Sequence, residues 1–222
     1  MRKKLRIAAW CGGGLLLAVA LGASALYWAA RQGPDFYRAA VRVDPARQRD
    51  ASDEMLQRTT ALVSDVRQEG RWEALFTADQ VNGWLAVDLP ANHADALPSS
   101  VRDPRVAIDP QAVHLACSFQ GRGGSCVLSL TVEPSLPEPN VLAIRIRRVR
   151  AGLLPVPLNG ILDMLSKAAG RMGLQLRWRY DRGDPVAVIS IVSPRDGNDG
   201  KVRIESLRLA EGEIYLAGTT GS

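Results

Sequence analysis

Two histidines, three cysteines and two arginine clusters are the places where this chain could do chemistry. His93 stands near Asp95 in a stretch rich in Pro and Ala, and His114 falls on the polar side of an alternating segment. Each reads as a solvated or hydrogen-bonded structural histidine in preference to a general base. Asp103-Pro104 and Asp109-Pro110 read as turn punctuation and not as a paired-carboxylate site. No G-x-S-x-G, H-E-x-x-H, C-x-x-C, P-loop or dinucleotide-binding spacing occurs. So few His and Cys side chains also argue against a zinc, haem or iron–sulfur site. The expectation is a protein with no catalytic residues, no metal and no cofactor. A hydrolase built on His93 or His114 is the least favoured class. Arg145, Arg147, Arg148 and Arg150 could hold an anionic head group, as could Arg177, Arg179 and Arg182. A solvated strand face balanced by nearby acids is the simpler account of both.

Cys117 and Cys126 flank Gly121-Arg122-Gly123-Gly124 in a region of alternating hydrophobicity. With Gly121-Arg122 as a two-residue turn, residues 117 and 126 face each other at a non-hydrogen-bonded pair. There the Cα atoms approach to ~4.5 Å, just inside the range a disulfide accepts. A Cys117–Cys126 disulfide and two buried thiols on an apolar face remain the alternatives.

The elements that would position such groups follow from charge and periodicity. The net charge is +5, yet five basic residues (Arg2, Lys3, Lys4, Arg6, Arg31) lie in the first 31 positions, where no acid occurs. The remaining 23 basic residues balance 23 acidic ones, which removes the case for nucleic acid as a partner. Ile7 to Ala30 carries no charge, and at about 1.5 Å per helical residue it is long enough for a ~30 Å hydrocarbon core. Trp10 near one end and Tyr27-Trp28 near the other suit membrane interfaces. The expected organisation is a cytoplasmic basic tail (1–6), a transmembrane anchor (7–30), a juxtamembrane helical segment (31–70) and an extracytoplasmic domain (71–222). The chain would then be a single-pass inner-membrane protein. A cleaved signal peptide is the alternative, since Ala23-Ser24-Ala25 has the form of a cleavage site.

Beyond Gly33-Pro34, a short helix over 35–41 and a longer one from Pro45 to about Gln68 are predicted. Thr77 with Gln80 makes a capping box, flanked by Phe76 and Val81 as a hydrophobic staple, and opens a helix over 78–87. Residues 90–104 read as a loop. From Arg105 the period becomes 2: strands around 113–120, 125–132 and 141–149 are followed by a Leu/Ile-striped helix ending near Ala169. Strands at 174–180, 186–192, 202–209 and 214–218 complete the pattern. The fold class expected is α+β, a curved and mostly antiparallel sheet packed on a few helices.

Three segments bear a likeness to a known family. Phe76-Thr77-Ala78-Asp79-Gln80-Val81-Asn82-Gly83-Trp84-Leu85 resembles the "F-T-x-x-x-[VIL]-N-x-x-L" opening of small membrane-anchored bacterial domains that look like tubular lipid-binding (TULIP-like) proteins. Val149 to Pro157, leading into the striped helix, is similar to their sheet-to-helix crossing, and Leu207 to Gly218 to their closing strand. The resemblance spans roughly residues 71–220. It implies a long sheet wrapped around a helix, an apolar groove and no catalytic residues to carry over. The short length of this domain departs from a long lipid tunnel.

These readings converge on a non-enzymatic, membrane-anchored protein that binds a lipid or other apolar ligand or assists envelope assembly. Its apolar groove is expected to use Leu128, Leu130, Leu142, Ile144, Ile146, Ile161, Leu162 and Leu165. The alternative is an adaptor that docks on a membrane-protein partner through the 45–69 helix and the arginine-rich strands.

Overall fold

A computed structural model describes residues 20–22, 24–25, 27–121, 124–171, 173–191 and 201–221. Gly33-Pro34 breaks the first helical stretch, and α1 (Asp35–Val41) follows. Helix α2 (Pro45–Val66) has Pro45 at its first position, where a missing N–H costs nothing and the fixed φ already suits a helix. The Asp44 side chain caps it by accepting from the Ala46 amide at 2.8 Å. Strand β1 (Gly70–Thr77) runs directly into α3 (Ala78–Ala86).

The predicted capping box is present. The Gln80 amide donates to Thr77 Oγ1 (3.2 Å) and the Thr77 amide to Gln80 Oε1 (3.1 Å). Helix α4 (Asp88–Asn92) and a short loop lead to β2 (Val101–Ile108). The predicted loop over 90–104 is therefore confined to the residues between these elements. Pro90 is tolerated because it occupies the first turn of α4, where amides lack helical partners anyway.

The remaining chain is β3 (Val113–Gly121), β4 (Gly124–Glu138), β5 (Val141–Ala151), β6 (Leu154–Pro155), α5 (Leu158–Arg171), β7 (Leu176–Asp181), β8 (Asp184–Ser190), β9 (Lys201–Ala210) and β10 (Glu213–Gly221). The strand pairings are antiparallel, and they form two sheets where one curved sheet was expected. A seven-stranded sheet runs β2-β3-β4-β5-β8-β7, with β6 against β5. A three-stranded sheet runs β1-β10-β9. The second sheet exists because Trp72, Ala74 and Phe76 alternate with Arg71, Glu73 and Leu75, a period-2 segment that pairs along the whole of β10. Gly218 makes room for the buried Trp72 ring: a Cβ there would lie 2.4 Å from it.

The core forms between the seven-stranded sheet, α5 and the inner side of the small sheet. Ile108, Val113, Val132, Ile146, Val149 and Leu162 are its buried members, with Leu209 and Ile214 packed from the small sheet. Asn140, in the tight β4–β5 turn at φ 62°, joins the two sheets. Its side chain donates to the Val202 carbonyl (2.8 Å) and accepts from the Ile204 amide (2.6 Å), while its own amide donates to the Ile204 carbonyl (3.2 Å). Asparagine tolerates this left-handed conformation better than most residues.

The transmembrane expectation is corrected. The run 7–30 falls largely outside the described residues, and no helix among the described residues is long and apolar enough to cross a membrane. What is described of its end folds back on the sheet. The Ala29 carbonyl accepts from the Leu153 amide (3.0 Å), and Gly152 at φ 59° sits so close that a Cβ would meet that carbonyl at 2.1 Å. The anchor, the signal-anchor reading and the single-pass inner-membrane location are withdrawn with it.

The β3–β4 register also differs from expectation. Gly121 pairs with Gly124, where the predicted register set Gln120 opposite Gly123. Cys117 then faces Leu128 and Cys126 faces Phe119, and both cysteines are free thiols. The shift moves each partner by two residues, so every side chain keeps its predicted face while its neighbour changes.

Candidate functional site: an apolar groove beside α5

Helix α5 carries Leu158, Ile161, Leu162, Leu165 and Ala169 at helical spacing, which turns one stripe toward the seven-stranded sheet. Leu162 and Ala169 are buried, while Ile161, Met164, Leu165 and Ala168 are half-buried. The difference in burial marks an incomplete fit. Between this second set of side chains and β3, β4 and β5 lies a groove of about 200 Å³. Leu115, Cys117, Leu128, Leu130 and Val149 supply the sheet side, and Leu97 and Pro98 close it from the loop before β2. Trp178 fixes the far side of the helix: its Nε1 donates to Ser166 Oγ at 2.8 Å, and Ser166 in turn donates to the Leu162 carbonyl.

Four of the eight predicted groove residues are brought together here: Leu128, Leu130, Ile161 and Leu165. The other four are elsewhere. Ile146 and Leu162 are buried in the closed core and Ile144 packs against it. Leu142 is half-buried opposite Ile189 of β8. Alternation gives the correct face of β5, but the bulges in the β4–β5 pairing carry its first half away from α5. Met164 and Ala168, missed from the sequence, stand three and seven residues after Ile161, so the helical period could have found them. Leu97 and Pro98 carried no such signal, because a loop has no period.

The groove lining is almost wholly carbon and sulfur. Burial pushes the Cys117 thiol up to about 11, with neighbouring Cys126 adding to the shift. A thiol held neutral in this way is a weak hydrophobe and not a nucleophile. Arg105 reaches the groove's edge but is only 4% exposed, and its Nη1 donates to the adjacent Pro104 carbonyl at 2.7 Å. Its Nε has no partner among the described residues. Burial lowers its pKa, and the charges of Asp103 and Tyr37 oppose that shift.

The polar residues singled out earlier lie in other roles. His114 bridges Asp109 Oδ2 (2.7 Å) and Thr131 Oγ1 (3.2 Å), while Asp109 Oδ1 accepts from the amides of Gln111 and Ala112. This carboxylate–imidazole–hydroxyl chain ties the β2–β3 turn to β4 on the sheet face away from the groove, with the Phe36 ring 6.1 Å from the imidazole. His93 stacks beside Trp84 at 5.8 Å and lies 3.6 Å from Asp88. Arg147 donates to Glu133 (2.7 Å) and Asp184 (2.6 Å), and Arg145 pairs with Asp181. Their charges are met within the sheet face itself.

The 76–85 motif has a structural meaning throughout. Phe76 is buried, Thr77 and Gln80 cap, and Asn82 bonds both backbone groups of Val106 (2.9 and 2.8 Å). Gly83 lets α2 cross at contact, since a Cβ there would lie 2.6 Å from the Ser52 amide nitrogen. No protein-family model, curated protein or solved structure matches this chain.

Proposed function

We propose that this protein binds an apolar ligand, a hydrocarbon chain, in the groove beside α5, and that it does so without bond-making chemistry. The observation that carries this reading is the half-buried stripe Ile161, Met164, Leu165 and Ala168 facing Leu128 and Leu130 across an unfilled space with almost no polar atom in it. Apolar surface left against water on both walls gains about 25 cal/mol per Å² when a chain covers it. A slot with almost no donors or acceptors selects by shape and chain length. The likeness to tubular lipid-binding domains implies the same class of ligand.

Titration of the full chain with N-phenyl-1-naphthylamine tests it. The expected result is saturable, blue-shifted emission that is lost in Met164→Asp, a half-exposed site outside the closed core. Absence of saturable binding by the native chain overturns the proposal.

A second reading, docking on a protein partner, is favoured by one feature. The long helix α2 buries only Ser52 and leaves Leu56 and Val63 at 41% and 46% exposure. Crosslinking through cysteines placed at those two positions, with one discrete partner captured and no dye binding, would select it.

A further inference from the structure

We infer that the groove's ligand is an amphiphile with a singly charged anionic head, a carboxylate on an acyl chain, and that Arg171 holds the head. This deepens the groove reading and rests on it. Ile161, Met164, Leu165 and Ala168 line the groove from α5. Arg171 follows Ala168 by three residues and so lies on the same side of the helix, just under one turn or about 4.5 Å further along. Leu97 and Pro98 are walls of the groove and also walls of an open vestibule that Arg171 lines. The two spaces share these two walls, and Arg171 lines the one that opens to water.

As the basic residue in the last turn of α5, Arg171 meets the negative end of the helix dipole, a role that leaves the fork of its guanidinium available to a ligand. It is exposed, and among the described residues no acidic side chain pairs with it. It is not needed to cap the helix either. The carbonyls of Ala169 and Gly170 already accept from the amides of Leu174 (2.9 Å) and Gly173 (3.1 Å). The vestibule also contains His93 and Asp95. Asp95 offsets part of the positive potential, which disfavours a dianionic head and suits a single carboxylate held by a bidentate guanidinium. From Ile161 to Arg171 the helix rises about 15 Å, so a straight chain of about ten carbons, roughly 11 Å long, fits within that span.

Isothermal titration of the full chain with decanoate, decanol and decylamine, each below its aggregation threshold, tests the inference. Decanoate is expected to bind about fivefold tighter than decanol, the size of a partly exposed ion pair, and decylamine weakest. The preference should vanish in Arg171→Gln, weaken in Arg171→Lys, which keeps the charge but lacks the fork, and shrink with added salt. Equal affinity for decanoate and decanol, or a preference that survives Arg171→Gln, overturns the role of Arg171 and leaves the apolar groove intact. No binding of any of the three overturns both.

Discussion

Replacing Ala168 with Leu places three additional carbons in the groove, and its effects on stability and on binding should have opposite signs. Ala168 is half-buried on the groove wall, and leucine is nearly as good a helix former as alanine, so the helix itself is unaffected. Filling a real void with three carbons is worth at most ~2.4 kcal/mol, at about 0.8 kcal/mol for each, and imperfect fit reduces the gain to about 1–2 kcal/mol. For a chain of 222 residues this raises Tm by about 2–8 °C, at ~2–4 °C per kcal/mol. The same three carbons displace about three methylenes of ligand, so dye or decanoate should bind about fiftyfold more weakly, the equivalent of ~2.4 kcal/mol. Differential scanning fluorimetry reads the first quantity and titration the second. A drop in Tm would mean that the wall is already closed, and unchanged affinity would mean that the ligand binds elsewhere. Either result refutes the groove.

Three other perturbations probe the frame around the groove. Asn82→Ala leaves the amide and carbonyl of buried Val106 without partners and should cost about 2–6 kcal/mol in urea unfolding, at ~1–3 kcal/mol per stranded group; a loss below about 0.5 kcal/mol would show that water replaces the clamp. The hydrogen bond from His114, followed by those from the Gln111 and Ala112 amides, holds the Asp109 carboxyl below the usual carboxylate range. A carboxyl depressed on folding adds stability above its unfolded pKa of about 3.9, and that stability is lost as pH falls through the lower folded value. The native chain should therefore lose more stability than Asp109→Asn between pH 5 and pH 3, as read by Tm against pH; parallel curves would refute the assignment. Cys117, half-buried and pushed up to about 11, should react with iodoacetamide more slowly than Cys126, whose thiol is raised less by burial, and bound decanoate should slow it further. Equal rates followed by peptide mass mapping would place Cys117 outside the groove.

Local patterns decided what could be read from the sequence. The capping box at Thr77 and Gln80, the stripe of α5 and the alternation of β3 to β5 are short-range periodicities, and each is found in the structure. Pairing was less legible. The β3–β4 register differs from the predicted one because a run with several glycines permits more than one turn, and only the packed sheet chooses among them. The strand over 70–77 escaped notice because its apolar residues are interrupted by Arg71 and Glu73, which need β10 beside them before the alternation has meaning. The transmembrane reading rested on an uncharged run with aromatic residues at its ends and basic residues before it. The contact of Ala29 with Gly152 and Leu153, which is tertiary, has no signature in that run. Half of the groove was visible as one helix face, while Leu97 and Pro98 enter it through a loop whose path no local rule specifies.

Asn140 gives the molecule an unequal mechanical character. One turn residue rivets strands that are far apart in sequence, from Ile191 through Val202 to Ile204, so separating the sheets means breaking several bonds at one point in a single event. Helix α5 is held to its surroundings mainly by side-chain packing and by the Trp178–Ser166 bond. Thermal breathing should therefore concentrate at α5, whose backbone amides would exchange with deuterium well before those of β9. A guest could enter by lifting that helix while the riveted frame stays shut.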